Sequence, residues 1–304
     1  MNLLFRSWQP RLPMLVALAL ILLAAAALFW PTASARRDQG NLLVLLPRAD
    51  ARRVEALDRL TRTLVEAATV DLALAVVTTP TAFDEHLDRA LVAVVPDGLA
   101  LGLDPESWQP LAAGRRRVPW NLRPAATLVS RASVPAADRP WLSTPGRTVF
   151  GDSLSLVCRA AWCDGDGAAR PDGVGWGSDP YDHRPVLVAL RHGAYDHAVV
   201  RQWDAEAAVA EGCLPPDRWR LTTLSDPVPD VVVLASRRLP TGVRLELQQA
   251  LTVVGRQLDR RRDGDPALVA GLGLLGLDGF NLLLTPEFDR LRRQYEPCWP
   301  DTAP

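Results

Sequence analysis

Ser153 and Ser155 follow Phe150-Gly151-Asp152 where a short strand, 148–151, runs into a stretch, 153–163, that reads as a helix. A helix N-terminus leaves backbone N–H groups without partners and carries the positive end of the helix dipole. Hydroxyls placed there suit an anion. Such a serine also suits a nucleophile if a base stands near, or does no more than cap the helix. Three histidines, His183, His192 and His197, fall close together beside Asp182 and Asp196. These are metal-ligating types, but His192 and His197 straddle an expected helix end without the spacing of a single-face pair, so no metal is expected. Every basic residue is Arg, and the absence of Lys excludes a Schiff base, a catalytic Lys and a P-loop Lys. With 34 basic against 35 acidic residues and a net charge of −1, a nucleic-acid binder working through phosphate contacts is also excluded. No cofactor is expected.

The elements that must carry these residues alternate. Residues 41–46 form a short apolar run, and 50–67 place Val54, Leu57, Leu60, Leu64 and Val65 at helical spacing. Residues 70–77 read as a strand, 81–89 as a helix and 91–95 as a buried strand, the pattern of a parallel α/β sheet. Residues 125–131 resume as a strand. A second α/β unit follows: strand 148–151, helix 153–163, a Gly/Asp-rich loop 164–179, helix 185–192, strand 198–199, helix 205–211 and strand 221–223. Strand 231–235, a long amphipathic stretch 242–262 and a helix 286–295 close the chain. One α/β domain interrupted by another is expected, with 48% apolar and 23% charged residues enough for real cores.

Arg6 and Arg11 precede an apolar stretch from Met14 to Trp30, followed by Ala33-Ser34-Ala35. Seventeen helical residues span about 25 Å, a little short of a ~30 Å hydrocarbon core. Residues 1–35 therefore read as a cleaved signal peptide or as an uncleaved membrane anchor, and both readings export the rest of the chain. In an oxidising compartment Cys158, Cys163, Cys213 and Cys298 permit disulfides; one is expected, with its pairing open.

From about Asn41 to Tyr295 the chain resembles the phosphonate/phosphite/phosphate-type substrate-binding proteins of ABC importers. The resemblance is carried by Thr127-Leu128-Val129-Ser130-Arg131, by residues 146–155, by His183 with Ala189, Gly193 and Asp196, by Ser225-Asp226-Pro227-Val228-Pro229, and by Gly279-Phe280 with the Tyr295 helix. It implies a type II periplasmic-binding-protein-like clamp after the N-terminal signal or anchor helix. One discontinuous α/β lobe would comprise 41–130 plus 224–304, with 131–223 inserted as the second lobe. It further implies a small oxyanion held between the lobes by Ser153, Leu154, Ser155 and His183. Phe83 would stand for the first-lobe aromatic, and Asp204 and Asp230 for acids that hold a ligand amine. An ABC permease or a membrane signalling partner would read the closed form. The chain also departs from the family: the residues after Ser155 are Leu156, Val157 and Cys158, where the family has Thr, Ser and Gly. A second expectation within the same fold is thus a membrane-tethered sensory or scaffold protein with a degenerate cleft.

Phe150-Gly151-Asp152-Ser153-Leu154-Ser155 is also similar to the nucleophile block of GDSL esterases, which makes Ser153 a candidate nucleophile. Such an enzyme needs a late Asp-x-x-His, yet no His follows His197, and Gly279 and Asn281 lie after every His. The expected function is binding without chemistry.

Overall fold

Strand β1 (Asp38–Leu45) opens a six-stranded sheet that then collects helix α1 (Ala51–Ala67), β2 (Val70–Val77), helix α2 (Pro80–His86), β3 (Ala90–Pro96), the short helix α3 (Asp97–Gly102) and β4 (Trp108–Arg115). This is a computed structural model, and it describes residues 38–115, 123–136, 139–163, 171–260, 268, 272–273 and 276–296. Residues 1–37 fall outside that set, so the signal or anchor segment and the apolar stretch 14–30 do too. Among the described residues no helix is long and apolar enough to cross a membrane.

The chain next builds β5 (Ala126–Arg131), the one-turn helix α4 (Pro140–Ser143), β6 (Thr148–Phe150), helix α5 (Leu156–Ala160), β7 (Gly175–Trp176), helix α6 (Arg184–Arg191), β8 (His197–Arg201), helix α7 (Gln202–Ala210) and β9 (Trp219–Thr223). It returns with β10 (Val231–Ser236), helix α8 (Thr241–Arg260), β11 (Gly279–Leu282) and helix α9 (Thr285–Tyr295). The first sheet runs β11-β4-β10-β3-β1-β2 and the second β7-β6-β8-β5-β9, so two α/β lobes are present. In the first, β1 pairs in parallel with β2 and β3, while β10 is antiparallel to β3 and β4. In the second, β6 is parallel to β7 and β8, and β5 antiparallel to β8 and β9. The strand at 126–131 lies wholly in the second sheet.

Burial explains the order. Every residue of β3 and of β10 is buried, as strands covered on both faces require. On one face Leu42, Val44, Val92 and Val94 pack with Leu57, Leu60 and Leu64 of α1 and with Leu247 and Leu251 of α8. On the other face Leu43, Leu45, Ala93 and Val95 belong to a cluster that continues into Leu128, Phe150, Val157 and Val199 of the second lobe. One apolar cluster therefore spans the two lobes.

Strand β4 has no clear signature in the sequence, because Pro110 and Gly114 interrupt it. Pro110 is accommodated where the register with β10 shifts, between Val233 and Leu234. The expected helix over 153–163 is a further correction. Asp152 and Ser155 hold 152–155 in a capped turn, and only Leu156–Ala160 is helical. Five residues make little over one turn, so the dipole available to an anion there is small.

Candidate functional site

The turn between β6 and α5 is organised by Asp152, which is 2% exposed. Its Oδ1 accepts from the backbone N–H groups of Leu154 and Ser155, both at 2.6 Å. Its Oδ2 accepts from Ser155 Oγ at 2.6 Å and from His183 Nε2 at 2.8 Å. Burial pushes this carboxyl up, but the hydrogen bonds from His183 and Ser155 outweigh it and hold Asp152 well below the usual carboxylate range. Two of the N–H groups expected to serve an external anion are thus satisfied by the chain's own carboxylate.

The next N–H is taken from across the cleft. Leu156 N donates to Asp97 Oδ1 at 2.7 Å, and Asp97 stands at the start of α3 in the other lobe. Gly98 N donates to the same oxygen at 2.9 Å. The approach is close: a Cβ on Gly98 would lie 2.1 Å from Leu154 O. Asp97 is 1% exposed, and among the described residues its Oδ2 has no hydrogen-bond partner. Burial, then repulsion from Asp230 and Asp152, raises its pKa well above the ordinary value.

His183 stands at the start of α6 without capping it and is fully buried, its ring packed where Gly151 leaves out a side chain. The backbone N–H of Arg201 donates to Nδ1 at 3.2 Å, which leaves the ring proton on Nε2, facing Asp152. Arg201, at the end of β8, is itself fully buried. Its Nε reaches Asp204 Oδ2 and its Nη1 reaches Asp230 Oδ2, each at 2.7 Å, so one guanidinium joins the second lobe to the start of β10 in the first. Burial disfavours that charge, but Asp204 and Asp230 reverse the balance and raise the Arg201 pKa. Asp230 is shifted up, by burial first, and among the described residues its Oδ1 lacks a partner, as does Arg201 Nη2.

A strap after β7 completes the closure. Tyr181 donates its buried hydroxyl to Leu45 O at 2.7 Å, Asp179 pairs with Arg53 at 2.8 Å, and Ser178 accepts from Arg48 at 2.8 Å. Each contact ties the second lobe to β1, α1 or the loop between them.

The structure thus brings Leu154, Ser155, His183, Asp204 and Asp230 into one buried polar cluster between the lobes, with the Ser153 backbone at its edge. Ser153 is half-buried, and its carbonyl accepts from Arg159. Phe83 is buried in the apolar cluster that also holds Leu45, Val95, Leu156 and Phe288. His192 is exposed, and His197 faces Ser130 Oγ at 2.9 Å, so neither joins His183 in the grouping considered from sequence. Among the described residues the metal-capable set that forms is Asp152, Cys158 and His183, with ligand atoms within 4.8 Å of one another. Its hydrogen bonding opposes a cation. A metal on Nε2 needs that proton removed, while Nδ1 already accepts from Arg201, and burial pushes the Cys158 thiol up, away from the thiolate a metal requires. Both His183 nitrogens are engaged, by Asp152 and Arg201, rather than with Ser153.

Solved structures share this architecture. A Xanthomonas citri protein bound to ATP superposes with a TM-score of 0.59 at 16% identity, over 86% of this chain and 97% of that one. PhnD1 from Prochlorococcus marinus, in complex with methylphosphonate, gives 0.59 at 11% identity over 85% and 97%. A binding protein component of an ABC phosphonate transporter from Pseudomonas aeruginosa gives 0.57 at 10% identity over 85% of each chain. The chain has the fold of the type II periplasmic binding proteins. No family model and no curated protein sequence matches it.

In this binding-protein fold the residues that sequence reasoning missed are Asp97, Arg201, Asp179 and Tyr181. Asp97 and Arg201 each end an apolar run, Ala90–Pro96 and His197–Val200, where a strand delivers a polar side chain to the cleft. That position was the available signal.

Proposed function

We propose that the chain is an extracytoplasmic solute-recognition clamp that works with an ABC permease or a membrane signalling partner. Its lobes are taken as 38–115 with 231–295, and 126–223, and the small ligand lies between them. One observation carries the reading: a charged, fully buried cluster, Asp97, Asp152, His183, Arg201, Asp204 and Asp230, lies between two α/β lobes rather than at the end of one sheet. The ligand class expected at the β6–α5 turn is a small oxyanion such as phosphate or a phosphonate, seated by Ser155 Oγ and Leu156 N. Export rests on the N-terminal segment and on the binding-protein fold.

A second reading is favoured by a specific observation: Asp97 and Asp152 already occupy the N–H groups of the turn. A chain whose cleft fills itself suits a membrane-tethered sensory or scaffold protein that no longer carries solute.

Thermal unfolding with phosphate, phosphite, methylphosphonate, sulfonates and amino acids separates the two. A ligand at a hundred times its dissociation constant adds about 2.7 kcal/mol. A shift with an oxyanion supports the solute clamp; none in a folded sample defeats the oxyanion ligand and leaves the scaffold reading. An esterase assay with Ser153→Ala as control checks the absence of chemistry, and Ser153-dependent hydrolysis would count against it.

A further inference from the structure

We infer that Asp97 is a tethered stand-in for a ligand: its carboxylate crosses from the first lobe to the α5 turn of the second and holds the clamp shut when no solute is present. The inference rests on the clamp reading and deepens it.

Three observations converge on Asp97. First, its Oδ1 accepts from Leu156 N, which lies 59 residues away and in the other lobe, so the bond exists only when the lobes are closed. Second, the approach is made by a residue pair that tolerates no spacer. Gly98 lies under Leu154 O, and any larger side chain there meets backbone. Third, among the described residues Asp97 Oδ2 is buried without a hydrogen-bond partner, and the charge of Asp230 acts on it. A carboxyl placed only to cap its own helix has no reason to be desolvated in this way. Leaving a buried acceptor unpaired is costly, so the contact it makes across the cleft must compensate.

The other links between the lobes surround this one. Arg201 to Asp230, Asp179 to Arg53 and Tyr181 to Leu45 O all close in the same state. None of them touches the turn where an oxyanion is expected. Asp97 does, and an oxyanion that reached Leu156 N would have to displace it. The closed form and the anion therefore compete for one N–H group, and the ligand's affinity is reduced by the fraction of molecules in which Asp97 holds it.

Small-angle scattering and thermal shift on the full chain test this in wild type, Asp97→Ala and Gly98→Ala. The glycine variant wedges the lobes while keeping the carboxylate, and it serves if Asp97→Ala does not fold. Wild type without ligand is expected to scatter as the closed form, and both variants with a larger radius of gyration. Phosphate is then expected to half-saturate Asp97→Ala at a concentration about tenfold or more below wild type. An unchanged radius in Asp97→Ala, or in Gly98→Ala where the first does not fold, would overturn the inference, as would a phosphate response that is present and equal in wild type and Asp97→Ala. Variants that open while no oxyanion shifts any of the proteins sustain Asp97 as the clasp, and only the oxyanion ligand falls.

Discussion

At Asp97 the sign of a pH effect can be worked out. Its pKa is raised by burial and by the neighbouring carboxylates of Asp230 and Asp152; the Tyr295 hydroxyl of α9 also feels its charge. A carboxyl whose folded pKa exceeds its unfolded one binds its proton more tightly when folded. Its contribution is present at low pH and is lost as pH rises through the raised value. Asp230 has the same sign, whereas Asp152 is lowered and contributes above the ordinary carboxylate range, failing only in strong acid. Asp97→Asn keeps an acceptor for Leu156 N and removes the titration. The variant should melt above wild type near pH 8 and approach it near pH 4.5, the gap widening by about 1.4 kcal/mol per pH unit between the ordinary and the raised pKa. A gap independent of pH would rule out the titration. Arg201 is the other residue with leverage. Its loss removes the guanidinium that Asp204 and Asp230 share, so Arg201→Met should cost about 3–5 kcal/mol in urea unfolding. Arg201→Lys should recover little, since one ammonium cannot span both acids.

Among the elements, those with a clean apolar period were readable: α1, β2, β3, α6, β10 and α9 lie within a residue or two of the expected spans. Those held by tertiary pairing were not. β4 carries Pro110 and Gly114 and becomes a strand because β10 and β11 flank it, and α3, with Gly98 and Gly102 among its six residues, has no clean apolar period. The site divides along the same line. His183 before a helix follows from local rules, but the cap falls on Ser155 rather than Ser153, and Asp204 and Asp230, which the resemblance implies hold a ligand amine, face Arg201. The bonds that define the cluster join residues far apart in sequence, 59 for Leu156 with Asp97, 31 for His183 with Asp152 and 29 for Arg201 with Asp230, and no local pattern encodes them. The strap from Ser178 to Tyr181 is an element of this kind. Tyr181→Phe strips Leu45 O of its side-chain donor and keeps the ring, so it should cost about 1 kcal/mol in unfolding while the lobes stay closed.

The whole chain carries its own report of compartment in its sulfur. Cys163 is disulfide-bonded, while Cys158 and Cys213 are free, the first fully buried and the second half-exposed. With four cysteines in all, denaturation without reductant should therefore expose two titratable thiols, and reduction four. In the native protein a thiol reagent should count one. Cys213 is reachable, whereas Cys158 is enclosed beside Asp152 and Val199, and burial pushes its pKa up, away from the reactive thiolate. Alkylation followed by mass spectrometry assigns the sites. Disulfides persist outside the cytoplasm and are kept reduced inside it, so the count also tests export. Chain recovered from the native host and denatured under acid quench should label at Cys158 and Cys213 but not at Cys163. Four labelled cysteines would place the clamp in a reducing compartment, where neither an importer's solute nor a cell-surface partner meets it.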